Sequence, residues 1–317
     1  MRVAFVGASK FGLRCLDRIL DLECCDVVGV VTAPRTFAIS YRPQGVRNVL
    51  YADMRGLCEE RMIDCVVIDQ GMKDPVLLQR IRSWAPQLFV VAGWYHILPR
   101  SWREVAPAYG LHASLLPDYS GGAPLVWALI NGEKSTGITL FQFDDGVDSG
   151  PVVGQATTEI WPEDTIATLY ERIETLGLGL LEQYLPRLAD GTAPLVTQDE
   201  SKRRLFPQRG PEDGVIDWSQ PAGRIRDFIR AQTRPYPGAF TFYRGTKVTI
   251  WKSSWGVSDN HDPLQVGELR ERNDEVTIGC GSDTTLVLGD LCVQGIDMTA
   301  VEWLRSMRHG SQPVRFS

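Results

Sequence analysis

Residues 110–117 are Gly-Leu-His-Ala-Ser-Leu-Leu-Pro, and residues 143–151 are Phe-Asp-Asp-Gly-Val-Asp-Ser-Gly-Pro. Histidine titrates near neutral pH, so His112 is able to accept a proton there. A neighbouring carboxylate fixes the tautomer of such a ring and stabilises its cation. Either feature alone is more often structural, because a lone histidine usually packs and an Asp-Asp-Gly run usually forms a turn. Together the two stretches predict that His112 and a carboxylate of the second stretch form an acid–base pair.

The two stretches also carry a family pattern. They resemble the folate-dependent formyltransferases, which include methionyl-tRNA formyltransferase, glycinamide ribonucleotide formyltransferase and the sugar-nucleotide N-formyltransferases. The family pattern is Asn-x-His, then Ser-Leu-Leu-Pro, then a loop of the form Asp-x-Gly-x-Asp-Ser/Thr-Gly. This chain matches it at His112, 114–117 and 144–150. Residues 121–124 and 131–139 match the helix and strand that lie between these motifs in the family.

The resemblance implies an α/β fold in two domains. It predicts a doubly wound, mostly parallel sheet in a catalytic domain of residues 1–200 and a small β-barrel-like domain of residues 201–317. The start of the chain agrees, since an apolar strand at 3–7, a glycine turn and an amphipathic helix precede a second strand at 27–31. The segments Ile-Asp-Trp and Pro-Tyr-Pro-Gly-Ala-Phe in the later part are most similar to the bacterial aminoarabinose-lipid formyltransferase domain.

The resemblance also implies roles for individual residues. His112 would be the catalytic base and Asp148 its orienting partner, with N10-formyltetrahydrofolate as co-substrate and no metal. The residues implied to line the folate site are Gly93, Trp94, Ser114, Leu115, Leu116, Pro117, Asp144, Asp145 and Gly146. The turn after the first strand faces the acceptor in this family, so Lys10 and Phe11 are expected to contact it. For His96, packing or a substrate contact is favoured over a role as a second base.

Two positions depart from the family pattern. The family asparagine falls on Gly110, and the family arginine before Gly-Gly-Ala-Pro falls on Ser120. The asparagine helps to hold the developing oxyanion in this family, and glycine has no side chain to donate. A backbone N–H or a water is able to serve instead, because preorganised donors of any origin stabilise such a charge.

The first strand and turn also invite a dinucleotide-binding interpretation. Gly7 and Gly12 do not form Gly-x-Gly-x-x-Gly, and no acidic residue ends the second strand. A nicotinamide-dependent oxidoreductase is therefore disfavoured. A folate-binding pseudoenzyme and a formyltetrahydrofolate hydrolase stay open, because Gly110 and Ser120 replace family residues.

Charge bears on the acceptor. The formal net charge is −6, and residues 201–317 hold 16 Lys and Arg against 14 Asp and Glu. A domain that binds tRNA is expected to be more basic. The sequence therefore favours a nucleotide-linked amino sugar as acceptor, with a hydroxylated ornithine and methionyl-tRNA as alternatives. Residues 32–48 form a predicted polar loop in which three arginines either stay solvated or contact an anionic substrate.

The remaining composition predicts a cytoplasmic protein. The 7 cysteines are scattered and include no Cys-x-x-Cys pair, which argues against a zinc site and for free thiols in a reducing compartment. The sequence begins directly with an apolar strand, and no apolar stretch reaches the length of a membrane span. A homodimer is possible from the sequence, and no membrane partner is expected.

Overall fold

The computed structural model describes residues 1–39, 42–69, 71–256, 263–307 and 313–317. In this part of the chain the helices are α1 (Lys10–Leu20), α2 (Arg55–Glu60), α3 (Pro75–Ser83), α4 (Arg100–Arg103), α5 (Pro124–Ile130), α6 (Ile166–Ala189), α7 (Ala222–Gln232) and α8 (Ala300–Met307). The strands of the first half are β1 (Arg2–Val6), β2 (Asp26–Thr32), β3 (Thr36–Ile39), β4 (Arg42–Arg47), β5 (Cys65–Val67), β6 (Leu88–Val91), β7 (Ala108–His112), β8 (Ser120–Gly121), β9 (Ser135–Gln142) and β10 (Val152–Glu159). Those of the second half are β11 (Leu205–Phe206), β12 (Ala239–Tyr243), β13 (Thr246–Ile250), β14 (Ser253–Trp255), β15 (Glu268–Arg272), β16 (Glu275–Cys280), β17 (Thr284–Leu288), β18 (Asp290–Val293), β19 (Ile296–Thr299) and β20 (Val314–Arg315).

The chain divides into two units that interleave along the sequence. The first consists of Met1–Gly121, Thr136–Thr158 and Glu171–Phe206. The second consists of Gly122–Ser135, Glu159–Tyr170 and Pro207–Ser317. The predicted domain boundary at residue 200 stays a prediction.

The first unit is built on a seven-stranded sheet in the order β10-β9-β7-β6-β1-β2-β5. Strands β1, β2, β5, β6 and β7 run parallel, and β9 runs antiparallel to β7. All four residues of β6 are buried, as an apolar strand in a two-sided parallel sheet requires. This arrangement confirms the predicted parallel-rich α/β fold.

Local capping sets where the helices of this unit begin. The Ser9 hydroxyl accepts the Gly12 N–H at 3.0 Å at the start of α1, and the Asp74 carboxylate accepts the Val76 N–H at 2.9 Å at the start of α3. A Cβ on Gly12 would lie 2.6 Å from the Ala92 carbonyl oxygen. The glycine therefore lets α1 approach the end of β6. Close packing thus explains Gly12 in the turn that invited a dinucleotide-binding interpretation.

The stretch 32–48 is not the loop that the sequence predicted. Strands β3 and β4 pair antiparallel, with Thr36 opposite Arg47. Pro43 and Gly45 dilute the strand pattern of β4, which is why a period-two signal is weak there. Tyr41, one of the aromatic residues of this stretch, lies outside the described residues.

The second unit carries antiparallel strands, which confirms the predicted β-rich C-terminal domain. A four-stranded sheet has the order β12-β13-β18-β19, and a five-stranded sheet has the order β14-β17-β16-β15-β20. Their core includes Trp218, Trp303 and Phe316, each 5% exposed or less. No helix in the described ranges combines the length and the apolar character that crossing a bilayer requires.

Candidate active site

His112 is the last residue of β7, at the carboxyl end of a parallel strand. Its Nδ1 lies 3.6 Å from Oδ2 of Asp148, and the two side chains are 11% and 20% exposed. The two residues that the sequence pairs are thus neighbours in space, partly shielded from water. Ligands of open α/β sheets bind at this edge of the sheet.

The second ring nitrogen of His112 has its own partner. Its Nε2 lies 2.8 Å from the backbone carbonyl oxygen of Tyr119. A carbonyl oxygen only accepts, so we assign the hydrogen of the neutral ring to Nε2. The lone pair is then on Nδ1, which faces Asp148, and Nδ1 is the atom at which the ring takes up a proton.

Asp148 is held by the loop that also carries Tyr119. Its Oδ2 accepts the backbone N–H of Gly121 at 2.8 Å. Asp148 and Tyr119 have φ of +52° and +54°, the left-handed region that ordinary L-residues rarely enter. Each such residue costs roughly 1–2 kcal/mol, so the surrounding contacts must stabilise both conformations.

The turn 114–117 is bonded internally. The buried Ser114 hydroxyl donates to the Asp118 carbonyl oxygen at 2.7 Å. The Thr139 hydroxyl donates to the Ser114 carbonyl oxygen at 2.6 Å and accepts the Leu116 N–H at 3.1 Å. Leu116 is buried, while Leu115 and Pro117 are partly exposed. The Ser114 side chain therefore shapes the turn, and a folate contact by these residues stays a prediction.

Position 110 is filled by a neighbour. Gly110 pairs with Val91 and Phe141 in the sheet, and a Cβ on it would lie 2.2 Å from Cε1 of Phe143. The Phe143 ring thus takes the space of the side chain that the family places here. Position 110 therefore supplies no side-chain donor for an oxyanion.

Gly93 and Trp94 follow β6 at the same sheet edge. The Trp94 and His96 rings are 5.3 Å apart, and His96 lies 4.9 Å from the Phe37 ring. Trp94 Nε1 and His96 Nε2 are buried, and neither has a hydrogen-bond partner in the part of the chain that the structure describes. Burial lowers the pKa of His96 below its ordinary value, which keeps this ring neutral near pH 7.

The loop 144–146 is a turn in which the Asp144 carboxylate bonds within the loop and the Asp145 carboxylate bonds to Arg103. Oδ1 of Asp144 accepts the Gly146 N–H at 3.0 Å and the Ser149 hydroxyl at 2.7 Å. Asp145 is exposed and pairs with Arg103 at 2.5 Å, and this guanidinium holds the pKa of the Asp145 carboxyl below its usual value. Asp144 therefore shapes the loop.

The two predicted acceptor residues lie at the first turn of α1. Lys10 is exposed, and its N–H donates to the Leu50 carbonyl oxygen at 2.7 Å. The end of the Phe11 ring lies 2.7 Å from where a Cβ on Gly177 of α6 would be. Phe11 therefore packs on this helix, and the acceptor contact of both residues stays a prediction.

Sequence reasoning missed the residues that hold the pair. They are Tyr119, Gly121 and Gln198, which bond to His112 or to Asp148. Tyr119 and Gly121 act through backbone atoms, which carry no sequence signature. In the described residues no group of three or more His, Cys, Asp or Glu side chains is arranged to hold a metal ion.

The fold and site define a class: a parallel α/β domain with a His–Asp pair at the carboxyl edge of its sheet, followed by an antiparallel β domain. Residues 1–185 match the sequence model of the formyl transferase family, and residues 209–308 match that of its C-terminal domain. The chain therefore belongs to the folate-dependent formyltransferase family. It is a transferase of formyl groups, and the donor in this family is N10-formyltetrahydrofolate.

Curated relatives cover nearly the whole chain. Methionyl-tRNA formyltransferase of Caldanaerobacter subterraneus subsp. tengcongensis is 33% identical over 91% of both chains. Methionyl-tRNA formyltransferase of Parafrankia sp. is 34% identical over 98% of both chains.

Solved structures share the fold at lower identity. The N-formyltransferase from Helicobacter canadensis, in complex with folinic acid and dTDP-3-aminofucose, has a TM-score of 0.66 at 17% identity, over 90% of this chain and 98% of that one. HypX from Aquifex aeolicus, in complex with tetrahydrofolic acid, has a TM-score of 0.63 at 17% identity, over 100% of this chain and 50% of that one.

Proposed function

We propose that this chain moves the formyl group of N10-formyltetrahydrofolate to a primary amine, with His112 as the base and Asp148 as its partner. The observation that carries the proposal is the placement of the His112 ring between two oxygen acceptors, Asp148 at 3.6 Å and the Tyr119 carbonyl at 2.8 Å. An oxygen acceptor thus faces each nitrogen of the ring.

The acceptor amine must lose a proton, because an ammonium has no lone pair with which to attack. His112 takes up a proton from the amine as the amine nitrogen bonds to the formyl carbon, and it gives a proton to N10 of the leaving tetrahydrofolate as the bond between N10 and that carbon breaks. Between these two events the ring is a cation with an N–H at both nitrogens, and each faces an oxygen. The negative charge of Asp148 stabilises this state, and a positioned acid–base group of this kind supplies roughly 10²–10⁴-fold in rate.

The residues that follow β6 form the proposed folate side of the site. Trp94 Nε1 and His96 Nε2 are buried without partners among the described residues. Buried polar atoms are normally hydrogen-bonded, so a ligand that satisfies both nitrogens gains binding free energy. Gly93, Trp94 and His96 would hold the folate there, and the bound folate would supply the formyl group.

The acceptor has two candidates with different support. Methionyl-tRNA is the first candidate, because relatives of that name are 33–34% identical over at least 91% of both chains. A nucleotide-linked amino sugar is the second, because residues 201–317 are nearly balanced in charge and a phosphate-rich partner favours a basic surface.

The test is an absorbance assay for tetrahydrofolate release from N10-formyltetrahydrofolate. It is run with methionyl-tRNA, with dTDP-3-aminofucose and with no amine. Release that depends on methionyl-tRNA supports the first candidate, and release only with the amino sugar supports the second. Equal release without any amine would overturn the transferase mechanism and indicate a hydrolase.

A further inference from the structure

Residues 196–206 follow α6 and touch both loops that hold His112. We call this segment the clasp. In the structure it lies beside the Asp148 loop at one end and beside the Tyr119 loop at the other.

The first end of the clasp binds the loop of Asp148. Val196 and Val152 exchange two backbone hydrogen bonds of 2.8 Å. The Gln198 amide Nε2 then donates to the carbonyl oxygens of Asp148, at 2.8 Å, and Gly150, at 2.7 Å. Gln198 is 9% exposed, so these bonds are shielded from water.

The second end of the clasp binds the loop of Tyr119. The Arg204 carbonyl oxygen accepts the Ser120 N–H at 3.0 Å, within the parallel pair of β8 and β11. The Arg204 guanidinium makes two 2.6 Å bonds to Asp118 and lies 4.7 Å from the Tyr119 ring. The Phe206 ring stacks on Tyr119 at 4.5 Å with an interplanar angle of 7°.

These contacts converge on the two strained residues of the site. Asp148 and Tyr119 both have left-handed backbone, and both face His112. Left-handed residues persist only where the surroundings over-determine them. Without bonds from Gln198 or the stack of Phe206, each loop would relax and carry its oxygen away from the ring.

We propose that Gln198 and Arg204 are positioning residues, which hold Asp148 and Tyr119 at His112 without touching the reacting atoms. This inference rests on the proposed role of the His112–Asp148 pair. It adds the clasp as the segment that holds the pair in place, although the clasp is distant from both residues in the sequence.

The main test is Gln198→Glu, which keeps the shape of the side chain but removes both amide N–H donors. A carboxylate would then face two carbonyl oxygens, so the Asp148 loop is expected to shift. Small displacements of reacting groups cost on the order of 10²-fold, so kcat should fall about 10- to 100-fold. The KM for N10-formyltetrahydrofolate should change less than kcat, because Gln198 bonds to the carbonyl oxygens of Asp148 and Gly150 rather than to a residue of the predicted folate site.

Three further variants keep the test independent of folding. Gln183→Glu makes the same chemical change at an exposed position on α6 and should leave kcat unchanged. Arg204→Ala removes a side chain that is 51% exposed, so the fold should tolerate it while kcat falls. In an Asp148→Ala background, Gln198→Glu should cost nothing further, because the residue it positions is already absent.

A second readout needs no acceptor. The Gly121 N–H is bonded to Asp148, so its hydrogen exchange reports on the loop directly. Gln198→Glu should accelerate exchange in residues 118–121, and Gln183→Glu should not. Wild-type kcat together with wild-type exchange in Gln198→Glu would overturn the clasp. If His112→Ala keeps full activity, the proposed mechanism fails, and accelerated exchange in Gln198→Glu would still support the clasp as the element that holds these loops.

Discussion

The ring of Phe143 lies where a side chain at Gly110 would be, with 2.2 Å between Cε1 and the position of a Cβ. Gly110 is in the middle of β7, between β6 and β9, so its backbone has little freedom to move away. The two residues therefore depend on each other, and a change at one constrains the other.

Gly110→Asn alone is expected to destabilise the fold by about 1–3 kcal/mol, because it over-packs a sheet position. Chemical denaturation measures the loss. The double variant Gly110→Asn/Phe143→Ala should recover part of it, since the ring is gone. Phe143→Ala alone is the matched control. Additive effects of the two substitutions would contradict a direct steric coupling.

His112→Ala is expected to lower kcat by roughly 10²–10⁴-fold, because it removes the proposed base. Fluorescence titration should show that folate still binds. Near-normal turnover in this variant would contradict the assignment.

Asp148→Asn isolates the charge of the partner. Asparagine tolerates left-handed backbone and its carbonyl oxygen is able to accept the Gly121 N–H, so the loop should keep its shape. We expect a fall in kcat with unchanged thermal stability. A loss of stability that parallels the loss of activity would mean that Asp148 is structural.

The ion pair of Asp64 and Arg80 makes the stability of the first unit depend on pH. The Arg80 guanidinium, together with the Trp84 indole N–H at 2.8 Å, holds the pKa of Asp64 below its usual value. A depressed pKa means that the stabilisation is present above about pH 4, the usual pKa, and is lost as the pH falls further. The pair is exposed, so Asp64→Asn should cost about 0.2–1 kcal/mol near neutral pH.

The measurement is the urea midpoint of the wild type and Asp64→Asn at about pH 7 and about pH 3. The difference in urea midpoint between the wild type and Asp64→Asn should be smaller at the lower pH. Arg80→Gln should show the same narrowing, because it removes the partner. A difference in urea midpoint that stays constant with pH would contradict a contribution from the Asp64 carboxylate.

Thr241 controls a buried hydrogen bond in the second unit. Its hydroxyl accepts the Trp218 indole N–H at 3.0 Å, and Thr241 is fully buried. Thr241→Val keeps the shape and leaves the indole donor unpaired, which should cost about 1–3 kcal/mol. The double variant Trp218→Phe/Thr241→Val removes the indole donor as well. Thr241→Val should therefore cost less stability in the Trp218→Phe background than in the wild type, and Trp218→Phe alone measures the cost of the smaller ring. Equal thermal stability of Thr241→Val and the wild type would contradict this.

Much of the fold was predictable because its signals are local. The apolar run of β6, the Asp-Pro start of α3 and the spacing of Leu16 and Ile19 in α1 each follow from strand, cap or helix patterns, and the structure has them. The hairpin of β3 and β4 was missed because its strands hold a proline and a glycine.

The sequence by itself determined the family, the parallel-rich sheet and the two residues His112 and Asp148 as candidates, since motif order and hydrophobic periodicity are written in consecutive residues. Only the tertiary structure decided what holds them. Gln198 reaches a carbonyl oxygen 50 residues away, and Tyr119 contributes a carbonyl oxygen of its own. Every residue has such an oxygen, so no side-chain pattern marks the ones that matter, and only folding brings them to the ring.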